Sequence, residues 1–524
     1  MTPQRDAGTD ADVVIVGHGP VGQTLALLLA DAGWRVVVLE RQPRPYPLPR
    51  ATSFDGETAR TFALIGLGPA LARIGEAADG YDWRTAAGRT LIGVDFAGTG
   101  RFGWPDVTTM HQPALESALR DAGAQRPGIE VRRGWTVTGV TQAGVVTCTT
   151  GTGVATVSGS WVVGCDGANS TVRAALGASV TDLGFAYDWL LCDVLLSAPR
   201  TFSPTNVQIC DPARPTTVVA SGPGRRRWEF MRLPVESLDE LGGAGTAWQL
   251  LKAFDVRPDN ATLERHTVYR FRAAWADRWR RGRVLLAGDA AHTMPPFTGQ
   301  GMCAGIRDVR NLAWKLDLVL RGKAPESIMD TYEQERLPHV RAAVDTAVAL
   351  GRIVCVTDEA AATRRDAALT GTSRSAAPLP VPLAAGLLDR PLGAVAPPVG
   401  EPVPQGRVTR GPDTGLFDQI AGAGFIVLSI ADPGAALTTA HHEFLRAIGA
   451  RIVVLSPSGG SDPDALVDTD GTYLGYLRAA RARFLIVRPD HIVFGAARTS
   501  AQLPGVIDRL RAQLNPSGEG ADDA

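Results

Sequence analysis

The stretch that most limits what this chain can fold into is residues 12–41, DVVIVGHGPVGQTLALLLADAGWRVVVLER. A β-branched run ends in glycines, an apolar helical stretch follows, and a second β-branched run ends at Glu40. Strand, tight turn, helix and strand in this order make a βαβ unit, and a βαβ unit requires a parallel sheet covered by helices. Gly17-His18-Gly19-Pro20-Val21-Gly22 places G-x-G-x-x-G at the strand-to-helix turn. Gly17 permits the turn, Gly19 lets backbone approach a pyrophosphate, and Gly22 lets helix and strand pack closely. The helix N-terminus offers N–H groups and a positive dipole to phosphates, and Glu40 stands where an acid reaches ribose hydroxyls. A glycine-rich turn without ligand is the alternative, but it leaves the common register of strand, helix and acid unexplained.

At 524 residues the chain has room for roughly three to four domains. Lys and Arg number 53 against 54 Asp and Glu, so charge gives no reason to expect nucleic acid or an anionic membrane as partner. The start, MTPQRDAGTD, has no apolar signal core, and runs such as VVIVG and VVVL are too short to cross a bilayer. A cytoplasmic location is the expectation. Cys148, Cys165, Cys192, Cys210, Cys303 and Cys355 are scattered without C-x-x-C, as reduced core thiols would be, and no metal site is expected.

The pattern predicts a small antiparallel meander over 129–165 (IEVRRG, TVTGV, VVTCTT, VATVSG, WVVGCDG) that returns to a core strand. A second sheet is predicted over about 178–275, and helices over 303–320 and 326–352. The Pro-rich 371–408 reads as an extended connector, and the alternating strands and helices of 420–515 as a compact third α/β domain.

The fingerprint serves NAD and FAD alike; GDAAHTMPPFTGQG (288–301) separates them. A strand, RVLLAG, leads into Gly288-Asp289 and then a loop of small residues. That places a carboxylate to accept from a polyol chain and backbone N–H groups beside a flat ring. The side chains are small because backbone is the contacting surface. A plain strand-to-helix turn would need one or two glycines.

GDAAHTMPPFTGQGMCAGIRDVRNLAWKL resembles the flavin-binding segment of class A flavoprotein aromatic hydroxylases, the p-hydroxybenzoate hydroxylase group. The fingerprint with Glu40, VVGCDGANSTVR (162–173) and YEQERLPH (332–339) are similar to the same group, in the same order. RATSFDGETARTFALIGLG, FGWP, RRRWEF and VRPD resemble its hydroxyphenylpropionate hydroxylase branch, so the likeness spans nearly the whole chain.

The resemblance implies an α/β fold: a Rossmann-type FAD-binding domain with an inserted β-sheet substrate domain and a C-terminal thioredoxin-like domain. The implied divisions are 1–177 and 279–370 for FAD binding, 178–278 for substrate, 371–408 for the linker and 409–516 for the last domain. That domain has no cysteine, so thiol redox chemistry is excluded there and a structural or interface role is expected. Gly17, Gly19, Gly22, Glu40 and Arg41 are implied for the ADP half of FAD, with Asp166 of the Asp166-Gly167 pair at the FAD and pyridine-nucleotide site. Arg50 and Gln112 are implied near phosphates or flavin. Asp289 is implied for the ribityl oxygens, and Pro296, Gly299, Gln300, Gly301 and Met302 for the isoalloxazine. Two departures stand out: Cys303, where relatives often have Asn, and MRLPVES after RRRWEF, where relatives more often show glycine after the proline.

The implied activity is a monooxygenase that uses NADPH or NADH and O2 to hydroxylate a phenolic or polycyclic aromatic substrate through a flavin hydroperoxide. A Baeyer–Villiger-type monooxygenase or a flavin oxidase acting on a natural-product intermediate is the alternative. A flavin halogenase is disfavoured by the missing W-x-W-x-I-P, and a non-catalytic FAD-fold carrier by the complete ring loop at 295–302. The protein must exclude water, position an electron-rich ring and assist removal of a phenol proton. Asp55, in FDGETART, is the expected catalytic acid–base residue, with capping of the helix near Glu57 as its competing role. His292 reads as structural ahead of catalytic. Arg225, Arg226, Arg227 and the arginines of 278–283 read as mostly solvated, and Trp104, Tyr187 and Trp228 as core ahead of pocket. Monomer and homodimer both remain open.

Overall fold

The β-branched runs of the opening unit form the centre of a parallel sheet. In the computed structural model, which describes residues 9–369, 371, 373–391, 393, 395–456 and 466–515, Ala11–Val16 lies between Val36–Glu40 and the end of Gly153–Gly164, parallel to both. Val284–Leu286 and Ile129–Arg133 extend the sheet in parallel on the two sides. The central strand is buried throughout, as expected of a strand covered on both faces. The helix Pro20–Asp31 begins with proline, whose missing N–H has no helical acceptor at that position anyway. Residues 1–8, the bulk of the amino-terminal stretch read for a signal core, and residue 516, the expected end of the last domain, lie outside the described residues.

Because these strands run the same way, their carboxyl ends share one edge. That edge collects Gly17, Glu40, Cys165–Gly167 and Gly288–Asp289 from four distant parts of the chain. Ligands of open α/β sheets bind in the crevice at such an edge. The meander is one strand shorter than predicted. Ile129–Arg133 pairs in parallel with Val36–Glu40, and the antiparallel part starts at Thr136–Val140. Gly153–Gly164 is long enough to pair with Val145–Thr150 in the meander and then to enter the parallel sheet.

The second sheet is built on the antiparallel pair Val180–Leu196 and Ala261–Ala276. Arg225–Met231, Thr216–Ala220 and Asn206–Ile209 follow outward. Gly80–Arg84 and Thr90–Asp95 then join it, so two strands come from sequence ahead of the expected 178–278 insert. On the opposite edge His292–Thr293 pairs with Ala274–Trp275, which fixes the loop after Asp289 to this sheet.

Past the connector, Ile426–Ser429 pairs in parallel with Arg451–Ser456 across the helix Thr439–Ala447. Phe484–Val487 and Val493–Ala497 add antiparallel, and the helix Leu503–Leu514 closes this βαβ–ββα unit. The unit is not pendant. Trp314 packs edge-on against Phe425, with ring centroids 5.5 Å apart. Arg488 bonds both Glu335, at 2.7 Å, and Asp490, and Lys315 reaches Glu335 at 2.9 Å. Arg60 bonds Asp418 at 2.7 Å. All of these charged groups are buried or nearly so, as charges must be paired to be in a protein interior.

Candidate active site

Two joined cavities follow the carboxyl edge of the parallel sheet. The smaller, about 210 Å³, is walled by Gly17, Glu40, Arg41, Arg133 and Asp166. The larger, about 620 Å³, runs from the 289–302 loop to the face of the second sheet. Gly19, Arg50, Gln112 and Gly167 border both. All the predicted cofactor residues but Gly22, which is buried behind the turn, therefore border this one channel.

The fingerprint glycines differ in what they do. Gly17 has φ +101°, and a Cβ there would stand 2.4 Å from the Cys165 carbonyl oxygen. A Cβ on Gly22 would stand 2.2 Å from the Gly17 carbonyl oxygen. Gly19 is the opposite case. No described atom lies within 4 Å of its Cβ position, and it caps the Pro20–Asp31 helix without a side-chain bond. The first helical N–H groups thus face open space lined by glycine, which fits a diphosphate.

Glu40 accepts from the backbone N–H of His18 at 2.9 Å and of Gln42 at 2.8 Å, which sets the rim of the smaller cavity. Asp166 accepts from Ser170 and from the N–H groups of Thr171 and Val172, so its carboxylate shapes the Cys165–Asn169 turn. Gln112 accepts from the N–H groups of Arg50 and Ala51 and donates to Glu116, holding the 50–51 backbone against the cavity. The Arg50 guanidinium lies over the Tyr46 ring at 5.1 Å.

Asp289 opens into the larger cavity and accepts no hydrogen bond from any described residue. Surrounding protein raises its carboxyl above the ordinary value, while His292 and Arg50 pull it back. The loop behind it is anchored by Asp308, which takes His292 Nε2 at 2.6 Å, Arg336 Nε at 2.9 Å and the Gly288 N–H at 3.0 Å. Burial would raise the Asp308 carboxyl, but His292 and Arg336 outweigh it and hold the group at about 2. His292 is therefore a loop anchor, as its sequence context suggested, but through the Asp308 carboxylate where a backbone partner was expected. Pro296, Gly299, Gln300, Gly301 and Met302 all border the larger cavity. Cys303 does not: it is buried among Phe54, Phe62 and Leu27, so this departure falls in the core.

Asp55 borders the same cavity, but both of its oxygens are engaged. One accepts from the Thr58 N–H at 2.9 Å as helix cap, and the other bonds Arg307. Arg307 also holds Glu57 at 2.6 Å and Gln300 at 2.9 Å. Burial would raise the Asp55 carboxyl, yet Arg307 and Thr58 leave it below its ordinary value. Its two bonds make Asp55 a link between the helix cap and, through Arg307, the ring loop.

The arginine run is corrected by the structure. Only Arg225 lies at the surface, paired with Glu264. Arg226 is buried over the Phe202 ring at 3.6 Å. Arg227 is buried, bonds Asp193 at 2.7 Å and donates to the carbonyls of Pro49 and Arg50. A buried partner and free carbonyls decide this, and neither is visible in the run itself. Trp228 is fully buried on the far face, as expected. Tyr81, Thr217, Glu229, Tyr269 and Phe271 form the sheet wall of the cavity, and sequence reasoning missed all five. Strand alternation was the available signal, since Arg227 and Glu229 must share one face while Trp228 and Phe230 share the other.

Comparison with known proteins agrees with this geometry. Residues 10–347 match the FAD binding domain family, and residues 400–513 match the HcaD C-terminal domain. The chain is 40% identical over 517 residues to a probable NADH-specific resorcinol 4-hydroxylase of Rhodococcus jostii, covering 96% of this chain and 95% of that one. It is 33% identical to a 3-(3-hydroxy-phenyl)propionate/3-hydroxycinnamic acid hydroxylase of Mycolicibacterium gilvum, covering 97% and 92%. Among solved structures, aklavinone-11 hydroxylase in complex with FAD and aklavinone superposes with a TM-score of 0.76 at 25% identity, covering 96% of this chain and 99% of the other. No helix of the described residues is long and apolar enough to cross a membrane. A nucleotide-fitted channel that ends against a sheet wall, together with family matches along nearly the whole length, leads to one conclusion: the chain belongs to the FAD-dependent aromatic hydroxylases, a family of flavoprotein monooxygenases.

Proposed function

We propose that this enzyme hydroxylates a small phenol of the resorcinol type, with NADH as reductant. The observation that carries the reading is the shape of the channel. One end is glycine-lined and fits a diphosphate, and the other is bordered by the sheet residues Tyr81, Thr217, Glu229, Tyr269 and Phe271. The choice of resorcinol and NADH follows the relative with 40% identity.

Bound FAD supplies the redox chemistry, accepting a hydride and activating O2. The chain's residues divide the remaining work. Gly19 and the Pro20–Asp31 helix start hold the diphosphate, and Glu40 and Arg41 hold the adenosine end. Asp289 accepts from the ribityl hydroxyls, which gives its carboxylate the donors that protein does not provide. The backbone of Pro296, Gly299, Gly301 and Met302 lies along the ring. Arg50, Gln112 and Asp166 set the backbone that borders it. The sheet wall excludes water and positions the substrate ring. We read the C-terminal unit as a thioredoxin-like scaffold without thiols, whose part is to brace the Gly301–Leu320 helix.

The test is oxidation of NADH and NADPH by the FAD-loaded protein over a panel of phenols, with peroxide and hydroxylated product measured together. The expected result is that resorcinol accelerates NADH oxidation with product formed and little peroxide. Slow oxidation with stoichiometric peroxide for every phenol would overturn the reading. Asp289→Ala is expected to fold but to retain little FAD; a fully yellow variant would refute the ribityl assignment.

A further inference from the structure

Glu229 sits in the sheet wall with its carboxylate at the larger cavity and only 4% of the residue exposed. No described residue donates a hydrogen bond to that carboxylate. The nearest cation, Arg227, lies 3.8 Å away, beyond hydrogen-bond distance, and four of its five N–H donors go to Asp193, Pro49 and Arg50. Across the neighbouring strands Glu229 faces Leu191 and Thr217. The Thr217 hydroxyl is turned to Gln208 at 2.6 Å, and Gln208 also bonds the Tyr81 hydroxyl. The charged or titratable groups facing Glu229 are thus Arg227, Asp193 and Tyr81, and none of them satisfies it.

A buried carboxylate without donors is costly unless a ligand completes it. The cavity places such a ligand directly against it. Of the cations at the cavity, Arg50 lies toward Asp289 at the flavin-loop side, and Arg50 and Arg272 both lie toward Tyr269 in the sheet wall. A buried acceptor with no bonded donor suits an O–H donor better than a second carboxylate.

We propose that Glu229 receives the substrate's phenolic hydroxyl, accepting its hydrogen bond and taking its proton during ring hydroxylation, and so selects a neutral phenol over one with a carboxylate at that end. The proposal rests on the phenol-hydroxylase reading above. The phenol O–H bond breaks, its electron pair stays on oxygen, and a new O–H bond forms on Glu229. When the hydroxylated ring regains aromaticity, the ring carbon loses its proton to solvent. The phenolate oxygen then regains a proton from Glu229, which ends as it began. Burial, opposed by Arg227 and reinforced by Asp193, pushes the Glu229 carboxyl up to about 7, poised for transfer near neutral pH.

The test compares wild type, Glu229→Gln and Glu229→Ala, each matched for FAD content and unfolding midpoint. Binding of resorcinol, 1,3-dimethoxybenzene and 3-(3-hydroxyphenyl)propionate is read from the flavin absorbance change, and kcat/KM for resorcinol is measured from pH 5.5 to 9. Wild type is expected to bind resorcinol in preference to both other probes and to lose kcat/KM below about pH 7. Glu229→Gln is expected to keep resorcinol affinity within several-fold, to lose about 100-fold in kcat and to lose the acid limb. Glu229→Ala is expected also to weaken resorcinol binding about tenfold. If Glu229→Gln keeps wild-type kcat and the acid limb, the assignment is overturned while the phenol-hydroxylase reading stands. If wild type hydroxylates no phenol at all, that reading fails and this one with it.

Discussion

A single carboxylate can border a flavin cavity for different reasons, and three acids here separate by what surrounds them. Asp289 lacks protein donors and stands beside a loop of glycines. Glu229 lacks donors and stands in a sheet wall. Asp55 has both oxygens filled by Thr58 and Arg307. A phenol proton arriving there would have to displace one of those two donors. Asparagine at 55 can still cap the helix, and Arg307 keeps Glu57. Asp55→Asn is thus expected to keep FAD and the acid limb of kcat/KM, with a stability loss of about 1–2 kcal/mol from the broken part-buried pair. Loss of the acid limb in that variant would return the proton-accepting role to Asp55. Asp289 was legible in sequence because a strand, an acid and a run of small residues have a local meaning. Glu229 was not, because its meaning comes from Arg227 being drawn to Asp193 and to carbonyls of a loop far away in the chain.

At the scale of elements, the Gly301–Leu320 helix joins the cofactor side to everything behind it. Met302 borders the cavity, Arg307 reaches Asp55 and Glu57, and Asp308 anchors Gly288 and His292. Asn311 and Lys315, on the same face as Asp308, meet Glu335. Asp308, Asn311 and Lys315 follow the helical i, i+3, i+7 spacing, so one polar stripe is buried by design of the fold. The helix itself was readable from its apolar period. The stripe was not, since polar residues at helical spacing ordinarily mark a solvated face. The helix start is seated on the fingerprint through Gly305, where a Cβ would stand 2.6 Å from the Val21 side chain and 3.0 Å from Gly288 Cα. Gly305→Ala must push the helix away from the Asp289 loop. The expected result is a loss of about 1–3 kcal/mol in denaturant unfolding together with faster FAD release. Unchanged release with reduced stability would mean that the Asp289 loop does not follow the helix.

The molecule as a whole is held by charges that are buried where its last unit meets the helices. The parallel sheet, the fingerprint and the α/β character of residues 420–515 could be read from strand and helix periods. The way the last unit docks could not, because Arg60, Glu335 and the Arg488–His491 turn are far apart in sequence and each of these charged residues resembles a surface residue on its own. This junction gives the fold a specific acid response. His491 is buried beside Asp418, at 3.3 Å, and the Arg60 charge lies close by. Burial first, and Arg60 second, lower it from 6.5 to about 4. The unfolded chain therefore binds a proton below pH 6.5 that the folded chain refuses, so stability falls as pH drops from 6.5 towards 4. At pH 5.5 the share of His491 is about 1.4 kcal/mol. His18 and His339, both lowered to about 3 by burial and neighbouring arginines, act in the same direction. His491 has φ +66°, a conformation that asparagine tolerates. His491→Asn is expected to shrink the difference between unfolding free energies at pH 7.5 and pH 5.5 by about 1 kcal/mol, measured with urea on the FAD-loaded protein. An unchanged difference would place the acid sensitivity at the other lowered histidines, His18, His111 and His339, and would free His491 from any part in it.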